Sequence, residues 1–115
     1  EREEEFYSTL ILLPEAEGGM HPRWAHIQSL LAGGSPSQWR EAITEADIML
    51  EDSLTKTGYA GNGVGEKLKS VDQNELKTLQ DAWEAHKVRN AIAHVGIAQR
   101  TIAHYEAVFR ELDVI

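Results

Sequence analysis

The chain has 115 residues, 42% of them hydrophobic and 26% charged, which suits one small domain with a single core and excludes disordered and fibrous classes. It holds no cysteine, so disulfides and thiolate metal sites are excluded together, which fits a reducing compartment such as the cytoplasm. A net charge of −8 argues against a general nucleic-acid coat, because affinity for phosphate backbones rests on clustered Lys and Arg.

Residues 1–20 read as an N-terminal segment apart from the rest. "EREEE" is a solvated helix face, the helix continues through "FYSTLILL" to Leu13, and Pro14 ends it because its ring disfavours helix in the residue before it. "PEAEGGM" is then a loop. No stretch approaches the roughly 20 apolar residues a membrane helix needs, so no membrane contact is expected of this segment. The sequence begins with Glu1 rather than Met, which leaves an upstream leader or anchor open.

Residues 21–115 read as one bundle. Pro22 fits the first turn of a helix over 22–32 whose apolar side is Trp24, Ile27, Leu30 and Leu31. After "GGSPS", Ser35 and Gln38 form a capping box with Pro36 at the first helical position. The helix they open runs to Thr57 with Trp39, Ile43, Ala46, Leu50 and Leu54 as its stripe, and Gly58 stops it. "GYAGNGVGEKL" has the look of a phosphate-binding loop, but Glu66 separates Gly65 from Lys67, Leu68 stands where a hydroxyl would hold magnesium, and no strand precedes it. The plainer reading is a connection between helices, followed by a short helix over 64–71.

Asp72 and Glu75 make a second capping box, which predicts a long helix over 73–94. A last helix over 97–112 carries Ile102, Tyr105, Phe109 and Leu112. With no alternating strand pattern and no repeat, the expected architecture is all-α, an antiparallel bundle of four to five helices. The aromatic residues fall on apolar stripes and read as core rather than as base-stacking platforms. The histidines, His21 and His26 included, lack the spacing of a zinc site, so neither a metal nor another cofactor is expected.

The long helix has an unusual face. At 100° per residue, Leu76, Leu79, Trp83, His86, Asn90 and His94 fall within an arc of about 80°, so an apolar stripe turns polar halfway along. Ala85, Val88 and Ile92 give a second apolar face opposite, on which a symmetric dimer is expected. Arg89 lies about 140° from His94 on a regular helix, so the two meet on one group only if the helix opens or two copies of the chain each contribute part of a site. Residues 86–100 hold Lys87, Arg89 and Arg100 without an acid, a local balance of +3 that leaves −11 on the remainder.

"RNAIAH" has the Arg, polar residue, three further residues and His that mark the HEPN superfamily. With "DAWEAHKVRNAIAH", "EADIMLED" and "HYEAVFREL", most of residues 22–115 resemble a group of uncharacterised bacterial HEPN-like proteins. The resemblance implies a helical bundle that often dimerises to bring two motifs together at a cleft. Many members are metal-independent endoribonucleases of toxin–antitoxin, defence or RNA-processing systems, and others are inactive binding modules. By that resemblance Arg89 and His94 are catalytic, Asn90 is their polar helper, and the partners are a second copy, an RNA substrate and a protein such as an antitoxin. The sequence departs from the family in leaving only Val95 and Gly96 between His94 and the next predicted helix, and in Gly96 where some toxins have tyrosine.

The chemistry suits those residue types. An imidazole titrates near neutrality and can take the proton of an RNA 2′-hydroxyl, and a guanidinium can clamp the phosphate as it gains charge. Lys87, His86 and Arg100 would hold the RNA, and DNA, lacking the 2′-hydroxyl, would be inert. A plainer reading stands beside this one. His86, Asn90 and His94 satisfy a helix C-terminus, and the domain is a non-catalytic interaction module.

Overall fold

Five helices follow one another, without a strand, among the residues that the computed structural model describes, 21–88 and 94–115. They are α1 (Pro22–Leu31), α2 (Pro36–Thr57), α3 (Gly63–Lys69), α4 (Leu79–Lys87) and α5 (Val95–Glu111). The all-α bundle expected from the helical stripes is therefore present. The predicted helix and loop over 1–20, and Arg89 and Asn90, lie outside the described residues.

The central element is α2, whose 22 residues span about 33 Å. Its start is the predicted one: the Gln38 N–H donates to Ser35 Oγ at 3.4 Å, with Pro36 in the first turn. Its end is Gly58 at φ 105°, a left-handed conformation open to glycine. Ala42, Ile43, Ala46, Leu50 and Leu54 are all fully buried, and α1 and α5 pack against them. Trp24 of α1 meets Phe109 of α5 edge to face at 5.4 Å, and Tyr105 stacks on Phe109 at 6.2 Å, geometries that aromatic pairs prefer. α1 itself is capped by His21, whose Nδ1 accepts the Arg23 N–H at 3.1 Å. Burial, and then the charges of Arg23 and Lys56, hold the His21 pKa below its ordinary 6.5, which keeps Nδ1 free to accept.

The helix predicted over 73–94 is shorter than its capping box implied. Only half of the box forms: the Asp72 N–H donates to Glu75 Oε1 at 3.5 Å, but Asp72 Oδ1 accepts the Asn74 N–H at 2.9 Å, and the Glu75 N–H goes to the Asp72 carbonyl at 2.8 Å. They close only a turn. Leu76 leaves that turn to enter the core at 1% exposure, and the helix begins at Leu79 because a distant carboxylate caps it there. Glu111 of α5 accepts the Lys77 N–H at 2.7 Å, the Thr78 N–H at 2.8 Å and the Thr78 hydroxyl at 2.8 Å. At the other end α4 stops at Lys87, with Val88 as its C-cap. A tertiary cap has overridden a local one.

Desolvation raises the Glu111 pKa, but the bonds from Lys77 and Thr78 outweigh it and hold the carboxyl below the ordinary 4.5. A depressed folded pKa means that the stabilisation is complete above pH 4.5 and is lost as pH falls through the folded value. Glu111→Ala is expected to cost about 1 kcal/mol at pH 7, the usual value of a helix cap. Urea unfolding at pH 7 and below pH 4.5 checks this, because the gap between wild type and variant must narrow as the pH falls through the folded pKa.

Candidate functional site

The apolar stripe of α4 turns polar at His86 because a carboxylate waits for it in the core. Asp47 of α2 is 6% exposed, and its Oδ1 accepts the Tyr105 hydroxyl at 2.8 Å and lies 3.2 Å from His86 Nδ1. A carboxylate oxygen that already takes the Tyr105 hydroxyl accepts here as well, so Nδ1–H of His86 is the donor. The ring of Trp83 meets that of His86 edge-on at 6.5 Å. On the other side, Nε2 faces the backbone of α3, 3.5 Å from where a side chain on Gly65 would begin. His86, expected among the RNA-binding residues, is thus turned into the bundle.

Its neighbours on the expected second face are committed as well. Ala85 is 0% exposed and Val88 packs against the same core, while Ile92 lies outside the described residues. The bundle itself uses the described part of the face on which a dimer was expected.

His94 does not close a long helix. It is the N-cap of α5, in extended backbone at φ −151° and ψ 164°, and its carbonyl accepts the Ile97 and Ala98 N–H groups at 3.2 and 3.3 Å. The single-helix geometry that set Arg89 about 140° from His94 therefore does not apply. The His94 side chain makes no cap hydrogen bond, the residue is exposed, and the first turn of α5 contains no acid. Its ring rests against Gly96, 3.5 Å from where a Cβ there would sit. Helix N-termini carry partial positive charge and free N–H groups.

Lys87 and Arg100 are both exposed. Lys87 Nζ reaches Glu84 Oε2 at 3.2 Å, and that hydrogen bond and charge pull the Glu84 carboxyl below its ordinary pKa. Exposed pairs of this kind are weak, so Lys87 stays available to an anion. A second histidine–carboxylate pair, His104 Nδ1 to Asp81 Oδ1 at 2.7 Å, joins α5 to the first turn of α4 at the surface.

The glycine-rich segment is a connection, as its sequence suggested, and Lys67 closes it. With 8% side-chain exposure, Lys67 donates to the Gly61 carbonyl at 2.6 Å and lies 3.5 Å from Glu51 Oε2, so its charge is spent inside the loop. Gly61 sits at φ 135°, and a Cβ there would fall 2.9 Å from the Glu66 and Lys67 backbone. A separate open cleft of about 360 Å³ is lined by His21, Trp24, Gln28, Glu106, Arg110 and Ile115. It lies toward the far end of α5, about 18 Å along the helix from His94. Among the described residues no group of three His, Asp or Glu side chains is gathered to hold a metal ion, and no helix is long and apolar enough to cross a membrane.

Asp47 and Tyr105 were not among the expected site residues. A signal was available for the first: Asp47 stands four positions after Ile43 and three before Leu50, a carboxylate on the core face of α2. No protein-family model matches the chain, and neither the curated proteins nor the solved structures provide a match.

Two outcomes follow from this geometry. Asp47→Ala removes an acceptor of the fully buried Tyr105 hydroxyl and of His86 and is expected to cost about 2–3 kcal/mol, against about 1 kcal/mol for Tyr105→Phe. The double variant should cost less than the sum of the two, which chemical unfolding of all three measures. Gly61→Ala, strained by its φ and by contact with fixed backbone, should lower the midpoint more than Gly58→Ala, where a Cβ meets nothing within 4 Å.

Proposed function

We propose that the chain is a metal-independent endoribonuclease of the HEPN type, acting as a homodimer with Arg89, Asn90 and His94 at its site. The observation that carries this reading is His94 itself. The residue is exposed, its side chain makes no cap hydrogen bond, and it stands at the acid-free N-terminus of α5, directly after "RNAIA" in a window, residues 86–100, that holds Lys87, Arg89 and Arg100 and no acid.

In this reaction the His94 imidazole takes the proton of the 2′-hydroxyl as that oxygen attacks the adjacent phosphorus. The bond to the 5′-oxygen breaks and that oxygen takes a proton from water while the His94 imidazolium returns its proton to solvent, leaving a 2′,3′-cyclic phosphate and a 5′-hydroxyl. Arg89 neutralises the charge that gathers on the phosphoryl oxygens. Asn90 holds a phosphate oxygen, the N–H groups at the start of α5 favour the same charge, and Lys87 and Arg100 draw the backbone in. A second reading, a non-catalytic interaction module, is favoured by Val95, a large apolar residue 37% exposed right beside His94.

Incubation with single-stranded RNAs of varied sequence in EDTA separates the two. The enzyme leaves cyclic phosphate ends and spares the matching DNA, and Arg89→Ala and His94→Ala each lower the rate by about 10²–10⁴-fold. No cleavage by the wild type across varied RNAs rejects the enzyme in favour of the module.

A further inference from the structure

The open cleft between the start of α1 and the end of α5 takes no part in the reaction proposed at His94. Its floor is fixed. Trp24 is 3% exposed and is held edge to face against Phe109. After α5 the chain turns back at Asp113, φ 61°, and the Val114 and Ile115 N–H groups reach the Phe109 carbonyl at 2.9 and 3.5 Å. That return brings Ile115 into the lining together with Trp24. The same lining holds a cation and an anion one helical turn apart, Arg110 and Glu106.

We propose that this cleft binds a small zwitterion, an α-amino acid with an apolar side chain, whose carboxylate meets Arg110 and whose ammonium meets Glu106 while the side chain covers Trp24 and Ile115. The ion pair is arranged for it. Arg110 Nε and Nη2 both donate to one oxygen, Glu106 Oε2, at 3.2 and 2.7 Å, and among the described residues Arg110 Nη1 and Glu106 Oε1 take no part in a hydrogen bond. A donor and an acceptor of opposite charge are thus left open within one pair, and a guanidinium suits a carboxylate. The pair is exposed and so contributes little by itself, which makes turning it toward a ligand inexpensive. The other polar groups of the lining add no charge. Gln28 is neutral, and His21 is kept neutral at pH 7 by its lowered pKa, with Nδ1 occupied by the Arg23 N–H and Nε2–H as its remaining donor. One cation balanced by one anion favours a zwitterion over a simple anion or cation. A volume of about 360 Å³ lies at the small end of ligand sites, which suits a single amino acid rather than a peptide or a nucleotide.

The test removes one charge of the ligand at a time. L-Phenylalanine, titrated into the full chain and followed by amide NMR, should give saturable shifts at residues 21–28 and 106–115 with a Kd of about 1–5 mM. Phenylalaninamide, which lacks the carboxylate, and N-acetylphenylalanine, which lacks the ammonium, should each bind at least about 10-fold more weakly. Glycine, with no side chain to cover Trp24, should give no saturable shift below about 50 mM. Arg110→Gln and Glu106→Gln, both on the outer face of α5, should each weaken L-phenylalanine by about 10-fold and leave the rest of the spectrum in place. Equal binding of either blocked derivative, unchanged affinity in either variant, shifts that saturate at other residues, or no saturation by the wild type below about 50 mM overturns the inference. The blocked derivatives are read on the wild-type chain, so the answer does not depend on how a variant folds.

Discussion

A carboxylate in an apolar core is tolerated only if its charge is answered there, and the arrangement of this bundle follows from that demand at Asp47. Two donors that answer it come from different helices, Tyr105 from α5 and His86 from α4. Both converge on one oxygen. Apolar packing alone would let three helices slide or rotate by small amounts at little cost, whereas two hydrogen bonds to one buried atom fix their relative angles. The core can be remodelled around these bonds, but removing Asp47 takes an acceptor from Tyr105 and His86 at once.

The same economy governs the short helices. α3 has 7 residues and α4 has 9, both below the length at which an isolated helix holds in water. Each survives by tertiary contacts. Lys67, from within α3, closes the loop that precedes it by bonding the Gly61 carbonyl. Glu111, the last residue of α5, supplies the N-terminus of α4 with the acceptor that its own sequence lacks. Lys67 and Glu111 thus act at points where the backbone would otherwise be unpaired.

That division explains what could be read from the sequence. The ends of α2 were legible because Ser35, Gln38, Pro36 and Gly58 act on backbone within a few residues of themselves. Its core face was legible because helical periodicity is likewise local. The start of α4 was not, because the group that fixes it lies 33 residues away at Glu111, and the capping box at Asp72 gave a competing local answer. The place of His94 was missed for a related reason. A histidine after an apolar run reads equally as the end of one helix or the beginning of the next, and only the capture of the Ile97 and Ala98 N–H groups decides between them. Asp47 was visible as an exception to its own stripe, though its partners were not.

The polar stripe is therefore two separate features that adjacency in sequence had merged. His86 belongs to the core and answers Asp47; His94 belongs to the surface and opens α5. Their separation bears on the electrostatics of the proposed site. An acidic chain repels RNA at long range, and only a region without acids can receive a phosphate. The C-terminus of α4 carries the negative end of a helix dipole and the N-terminus of α5 the positive end, so the balance of the acid-free window tips toward His94. With His86 turned inward, Lys87 and Arg100 are the described cations of that window that remain outside. Both flank His94 along the chain, which is the distribution a site that draws in one phosphate needs, rather than the continuous basic track of a protein that coats nucleic acid.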